Sequence, residues 1–331
     1  MMNRRALIGA ATGILGLASS AGRIAAAASS AIDPSASGWF AKRHLPIGLQ
    51  LYTVGDEARK NIDATLARVA KIGYRTVELA GYHGQTVQKL RSTADKYGLK
   101  FTSIHVGAAG RPGEPGLDQD IPRLAADLHA LGVTDLVLPM FPIPERFGGQ
   151  KSGEGFLGFI QRATAGLTRD DWQRTADLLN DRGGKLRAEG LRLGYHNHNP
   201  EFAPLGNTTG MELLLSGTSP DEVSFEMDVG WVAAAGVDPV ALLKRHGRRF
   251  QLMHVKDIKP STKSNFSLQQ DPTEVGSGKL PWPSLLPAAF NAGVRKFYVE
   301  QEPPFSIDRF EAIGKSLAFL KAFEGVEIVK L

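Results

Sequence analysis

Short runs of Val, Ile, Leu and aromatic residues alternate along the chain with longer stretches in which apolar residues return every three or four positions. The first pattern predicts buried strands, the second amphipathic helices, and their regular alternation a parallel sheet joined by crossover helices. Strands are expected near 47–52 (IGLQLY), 76–79 (TVEL), 101–106 (FTSIHV), 134–138 (TDLVL), 191–196 (LRLGYH), 223–228 (VSFEMD), 250–255 (FQLMHV) and 296–300 (KFYVE). Between the first two, Ile62, Leu66, Val69 and Ala70 share one face of a helix over 59–72. Gly73, Gly98, Gly132, Gly190 and Gly293 each stand between a helical stretch and the next strand, where a left-handed C-cap is expected. Eight such units in about 290 residues predict an α/β fold, a single-domain (β/α)8 TIM barrel. A helix over 171–189 contains Gly183-Gly184. Two interior glycines cost roughly 1 kcal/mol each relative to Ala, and the local pattern gives no reason for them.

Two insertions follow strands: residues 139–169, rich in Gly and Pro, and residues 258–281, polar and containing Gly276-Ser277-Gly278. In a barrel both are expected over the C-terminal face, where sites form. The N-terminus has a different character. Met1–Arg5 is basic, Ala6–Ala18 is apolar and rich in small residues, and Ala26-Ala27-Ala28 offers a small-residue cleavage site. That is the layout of a secretory signal over 1–28, and the apolar run is too short for a stable membrane span. Arg4-Arg5 followed by Leu7-Ile8 resembles a twin-arginine signal, so a periplasmic or otherwise exported protein is expected. Residues 29–40 read as a linker and 41–331 as the barrel.

Charge adds little. Setting aside Arg4, Arg5 and Arg23 lowers the 39 basic residues to 36 against 34 acidic ones, a net +2, so a nucleic-acid partner is not expected. The absence of cysteine excludes disulfides, thiolate metal sites and a Cys nucleophile, leaving nitrogen and oxygen as the metal donors.

Chemistry collects where the last four strands end. His196 and His198, Asp228, His254 and Glu300 each close an apolar run, and strand ends on one barrel face converge. His196, Asp228, His254 and Glu300 are therefore expected to hold one divalent ion, and two nitrogens with two oxygens suit Mn, Zn, Co or Fe better than Ca or Mg. Residues two apart on a strand share a face, which pairs His196 with His198, His254 with Lys256 and Glu300 with Glu302. His198 is expected nearer the substrate and Lys256 offers a cation for a substrate oxygen. Gln50, Glu78 and His105 are expected at the same end and, with Glu302, as substrate-binding residues.

Taken together, these motifs resemble the sugar phosphate isomerase/epimerase family, the xylose isomerase-like TIM barrels. The match is carried by GLQLYTV at 48–54, VELAGY at 77–82, LGYHNHNPEF at 193–202, FEMDVGW at 225–231, LMHVKD at 252–257, VGSGKLPWPSLL at 275–286 and YVEQEP at 298–303. The resemblance implies one divalent ion held by a Glu or His on strand five, an Asp on six, a His on seven and a Glu on eight, here His196, Asp228, His254 and Glu300. It also implies proton abstraction α to the carbonyl of a sugar or keto-sugar, giving an enediolate, with Glu300 or His198 as base and Lys256 and His105 holding oxygens. The first ligand is His where the sugar epimerases usually have Glu, which removes one member of their carboxylate pair. A lyase or dehydratase acting on a keto-inositol or 3-keto-glycoside is the alternative reaction, and a non-catalytic periplasmic sugar-binding barrel the alternative of another class. A repair nuclease resembling endonuclease IV would need more metal ligands and a basic DNA face.

Overall fold

In the computed structural model, which describes residues 38–325, the eight expected strands form one closed parallel barrel. They are β1 (Ile47–Gln50), β2 (Thr76–Ala80), β3 (Lys100–His105), β4 (Asp135–Leu138), β5 (Arg192–His196), β6 (Val223–Asp228), β7 (Phe250–Val255) and β8 (Lys296–Val299). Each pairs with its neighbours in chain order, and β1 closes against β8 with Leu49 opposite Val299. The proposed signal segment lies outside the described residues, as do residues 326–331. Among the described residues no helix is long and apolar enough to cross a membrane.

The main core fills the space between strands and helices, as the apolar faces of both require. The helix Ile62–Ile72 buries Ile62, Leu66 and Val69, as its spacing predicts. It starts later than 59 because Asn61 breaks the run, capping Ala64 N at 3.0 Å. All five junction glycines have positive φ, from 65° at Gly98 to 119° at Gly293. The paired glycines inside the helix Arg169–Ala188 find their reason in packing. A Cβ on Gly183 would lie 2.7 Å from the backbone oxygen of Glu222, so the bare backbone lets this helix press against the turn leading into β6.

The expected linker ends too late. Trp39 and Phe40 form part of a short helix, Trp39–Lys42, and are buried, their rings packing edge-on against Phe297. Burial of two large aromatics belongs to the folded unit, whose start moves to about residue 38.

Inside the barrel, Val137, Leu252 and Tyr298 form a small apolar cluster apart from the main core. Gly48 makes room for it: a Cβ there would meet the Tyr298 ring at 2.4 Å. Two residues further along, Leu252 gives way to His254 and Tyr298 to Glu300, so the barrel turns polar toward its C-terminal end.

Candidate active site and metal centre

The polar interior has two levels. In the lower one, Gln50 Nε2 donates to Glu78 Oε2 at 2.8 Å, and the same oxygen lies 2.6 Å from His254 Nε2. Glu226 Oε2 is approached by His105 Nε2 at 2.8 Å, His196 Nδ1 at 3.0 Å and His254 Nε2 at 3.1 Å. Gln50, Glu78 and Glu226 have no exposed surface, so the first two brace the site from beneath and do not reach the cavity. Glu226 was not anticipated from the sequence. Its signal was present: it stands two residues before Asp228 on one strand and therefore shares its face.

The upper level holds the predicted ligands. Asp228 caps the short helix Val229–Ala234 with Oδ1, which accepts Trp231 N at 2.9 Å. Its other oxygen faces inward, 3.9 Å from His196 Nε2 and 3.7 Å from His254 Nδ1, and its close cationic partner is Lys256 Nζ at 2.7 Å. His254 Nδ1 lies 2.9 Å from Glu300 Oε2. Asp228, His254 and Glu300 thus bring three donor atoms within 4.8 Å of one another. A buried, inward-facing carboxylate oxygen beside an imidazole nitrogen, a second carboxylate and His196 Nε2 is a donor set that fits a divalent ion. The opposite edges of His254 and His196 contact carboxylates below, the arrangement that orients metal-binding imidazoles. A second grouping, His105, His196, Glu226 and His254, has donor spacing that could also hold an ion; with the first grouping as the ligand set it forms the supporting layer beneath.

Lys256 is fully buried, with Nζ 2.7 Å from both Asp228 Oδ2 and Glu300 Oε2 and in contact with Glu302. The FEMDVGW motif makes this possible. A Cβ on Gly230 would strike the Lys256 stem at 2.8 Å, and Trp231 Nε1 holds Glu302 at 3.1 Å. Burial disfavours the ammonium, but Asp228, Glu300 and Glu302 outweigh it and raise its pKa well above that of a free lysine. Burial would likewise raise Glu300, yet Lys256 and His254 hold it well below the usual carboxylate range. His254 is raised well above an ordinary histidine because Glu226 and Glu300 overcome its burial. Burial, with His254 nearby, brings His196 down to about 4. His198 is lowered well below the usual value by burial, His196 and Lys256. It is therefore a neutral imidazole near pH 7, and its Nδ1 has no partner.

A cavity of about 210 Å³ opens above, lined by Tyr52, His105, Pro139, Met140, His196, His198, Glu300 and Glu302. Five of these were predicted. Tyr52, Pro139 and Met140 were not, because they lie beyond strand ends, where the two-residue repeat no longer tells which way a side chain points. Pro139 and Met140 open the first insertion. The second is tied down by two polar residues. Asn199 bonds Asn265 O and Leu268 N, and Asp257 is wrapped by the VGSGKLPW segment. The Asp257 carboxylate accepts Ile258 N, Gly276 N, Gly278 N, Leu280 N and Trp282 Nε1 at 2.8–3.2 Å. The two glycines thus cradle the protein's own carboxylate. Asn197, pointing away from the cavity as expected, ties β5 to β6 by accepting Asp228 N at 3.2 Å.

The family model for xylose isomerase-like TIM barrels matches residues 66–323. The chain belongs to that family. Among solved structures, a sugar phosphate isomerase/epimerase from Parabacteroides distasonis ATCC 8503 is 25% identical, covering 90% of this chain and 98% of that one with a TM-score of 0.65. An L-ribulose 3-epimerase shares the fold at 14% identity, covering 83% of this chain and 93% of its own, with a TM-score of 0.56. By sequence, the chain is 24% identical over 200 residues to the inosose dehydratase of Geobacillus kaustophilus (strain HTA426), covering 60% of this chain. It is also 24% identical over 193 residues to that of Lacticaseibacillus casei, covering 56% of this chain. These matches span 62% and 60% of the dehydratases' own lengths. Isomerases, epimerases and dehydratases thus stand side by side among the relatives of this barrel.

Proposed function

We propose that the protein is a divalent-metal-dependent isomerase or epimerase that removes a proton α to the carbonyl of a sugar or keto-sugar, passing through an enediolate. The observation that carries this reading is the convergence of the inward Asp228 oxygen, His254 Nδ1 and Glu300 Oε2 directly beneath a small cavity that Glu300 lines together with the unpartnered imidazole of His198. An ion held by His196, Asp228, His254 and Glu300 would supply positive charge to the substrate oxygens as negative charge grows on them. Within this reading His198 takes the proton, because its imidazole lines the cavity with Nδ1 unpartnered, whereas Glu300 is engaged as a ligand of the ion. Glu302, at the cavity rim between Lys256 Nζ and Trp231 Nε1, is placed to accept a hydrogen bond from a substrate hydroxyl. His105 and Tyr52 line the walls and position the ring. The basic, apolar and small-residue N-terminal pattern supports export by a twin-arginine-type route.

A second reading, elimination from a keto-inositol or 3-keto-glycoside, is favoured by His196. A two-carboxylate epimerase has an acidic residue at that position, whereas here an imidazole already engages Glu226 through Nδ1. Both readings begin with the same proton abstraction. The test is to incubate metal-loaded protein in D2O with keto-sugars, keto-inositols and 3-keto-glycosides and follow the products by NMR. Deuterium with inverted configuration at the α carbon identifies an epimerase, deuterium on the neighbouring carbon an isomerase, and loss of a β-substituent a lyase. Turnover without solvent exchange, or full turnover by demonstrably metal-free protein, would sink the mechanism.

A further inference from the structure

Three carboxylates and three histidines crowd the upper level, yet its one ammonium touches the very oxygens expected to bind the ion. Lys256 Nζ is 2.7 Å from Asp228 Oδ2 and 2.7 Å from Glu300 Oε2. An ion bonded to those oxygens at ~2.0–2.2 Å would come within about 5 Å of the ammonium wherever it sat, so the two cations compete for the same negative charge. Lys256 has a third partner outside that cluster, Glu302, at the cavity rim and held by Trp231 Nε1. The ammonium therefore has somewhere to stay once the other two carboxylates are taken. Gly230 leaves a channel for its stem, and Trp231 offers its ring 5.2 Å away.

We propose that Lys256 is a resident counter-ion of the metal ligands: it neutralises Asp228 and Glu300 so that the barrel folds without metal, and it retreats to Glu302 when the ion arrives. The inference rests on the metal-site reading above and adds a cost that the ion must overcome. A buried carboxylate left without a partner is strongly destabilising, so a metal-free protein lacking this cation would be the less stable one. The same protein would bind the ion more tightly, because no like charge would oppose it.

The test is Lys256→Met, which keeps the apolar stem and removes the charge. Wild type and variant are stripped with chelator, and Zn2+, Mn2+ and Co2+ are each titrated alone against a competing chromophoric chelator. Thermal unfolding is followed with and without ion. The expected result is a metal-free variant that unfolds at lower temperature than metal-free wild type, a gap that narrows when ion is added, and affinity raised on the order of tenfold or more. If the single variant does not fold without ion, Lys256→Met combined with Asp228→Asn removes charge and countercharge together. Recovery of folding in that double variant supports the proposal, and no recovery overturns it. Equal metal-free stability, or unchanged or weaker affinity in the variant while wild type binds ion, overturns this inference alone. Failure of wild type to take up any of the three ions overturns both it and the metal-site reading.

Discussion

Replacing Asp257 with Asn changes one buried atom type and is expected to release the 258–281 segment. Two of its five N–H partners, Ile258 and Leu280, bond Oδ1, and three, Gly276, Gly278 and Trp282 Nε1, bond Oδ2. An amide has only one acceptor oxygen. Whichever way it is turned, at least two donors then face an NH2 group, and the rest lose the charge. Hydrogen bonds to charged groups contribute roughly 1.5–3 kcal/mol each, so at least two lost bonds cost about 3–6 kcal/mol. A folded domain typically has a total stability of about 5–15 kcal/mol, so the loss would be large. It is capped, however, by the free energy of letting the loop detach, since a detached loop exposes its donors to water. Amide exchange at Gly276, Gly278 and Leu280, read alongside urea unfolding, separates these outcomes. The expected signature is early loss of protection at those three amides, with a smaller fall in global stability. Unchanged protection together with global stability within about 0.5 kcal/mol of wild type would refute the latch.

His83 is buried with neither ring nitrogen bonded, and burial, with Arg59 nearby, holds it down to about 4. The unfolded chain, titrating near 6.5, binds more protons between these values, so stability falls as pH drops from 6.5 toward 4. His83→Asn, chosen because Asn tolerates the φ of 53°, should shrink the loss between pH 7 and 4.5 by about 2 kcal/mol in urea titrations; an identical pH dependence contradicts the assignment. Gly183→Ala should cost about 1–3 kcal/mol despite alanine's better helix propensity. Gly184→Ala, whose Cβ would meet only the Glu222 carboxylate end at 3.3 Å, should be neutral or mildly stabilising; equal thermal shifts would argue against the close helix approach. Glu226→Gln should weaken metal binding by about 10–100-fold in chelator competition without touching a ligand, and unchanged affinity would remove Glu226 from the supporting layer.

The barrel was legible because its strands and helices repeat with different periods, and all eight strands appear within a few residues of their expected places. Ends were the weak point. The run IGLQLY was read as strand to Tyr52, but the chain turns into a short helix at Leu51, with Gln50 Oε1 accepting Tyr52 N at 3.0 Å. That side-chain bond puts Tyr52 at the cavity, and no periodicity announces it. The vertical order within the barrel was hidden too. Gln50 and Glu78 sit one level lower because of register: Gln50 lies opposite Glu78, and it is Ala80, two residues beyond Glu78, that lies opposite the cavity residue His105. Trp39 and Phe40 were passed over because four residues of helix carry too little pattern to stand out from the linker composition around them.

The cavity residues also divide along the chain. Tyr52, His105, Pro139 and Met140, half of the cavity lining, come from the first half of the barrel, whereas the expected ion ligands and His198, Lys256 and Glu302 all follow residue 190, and His196, His198, Glu300 and Glu302 supply the other half of the lining. One half of the wall and the expected ligand set are thus written in separate stretches of sequence and meet only in space. Substitutions among residues 50–140 would redraw that half of the wall while leaving the expected ion ligands untouched. In a barrel similar both to a sugar phosphate isomerase/epimerase and to inosose dehydratases, that separation would let one set of donors face rings of different shape.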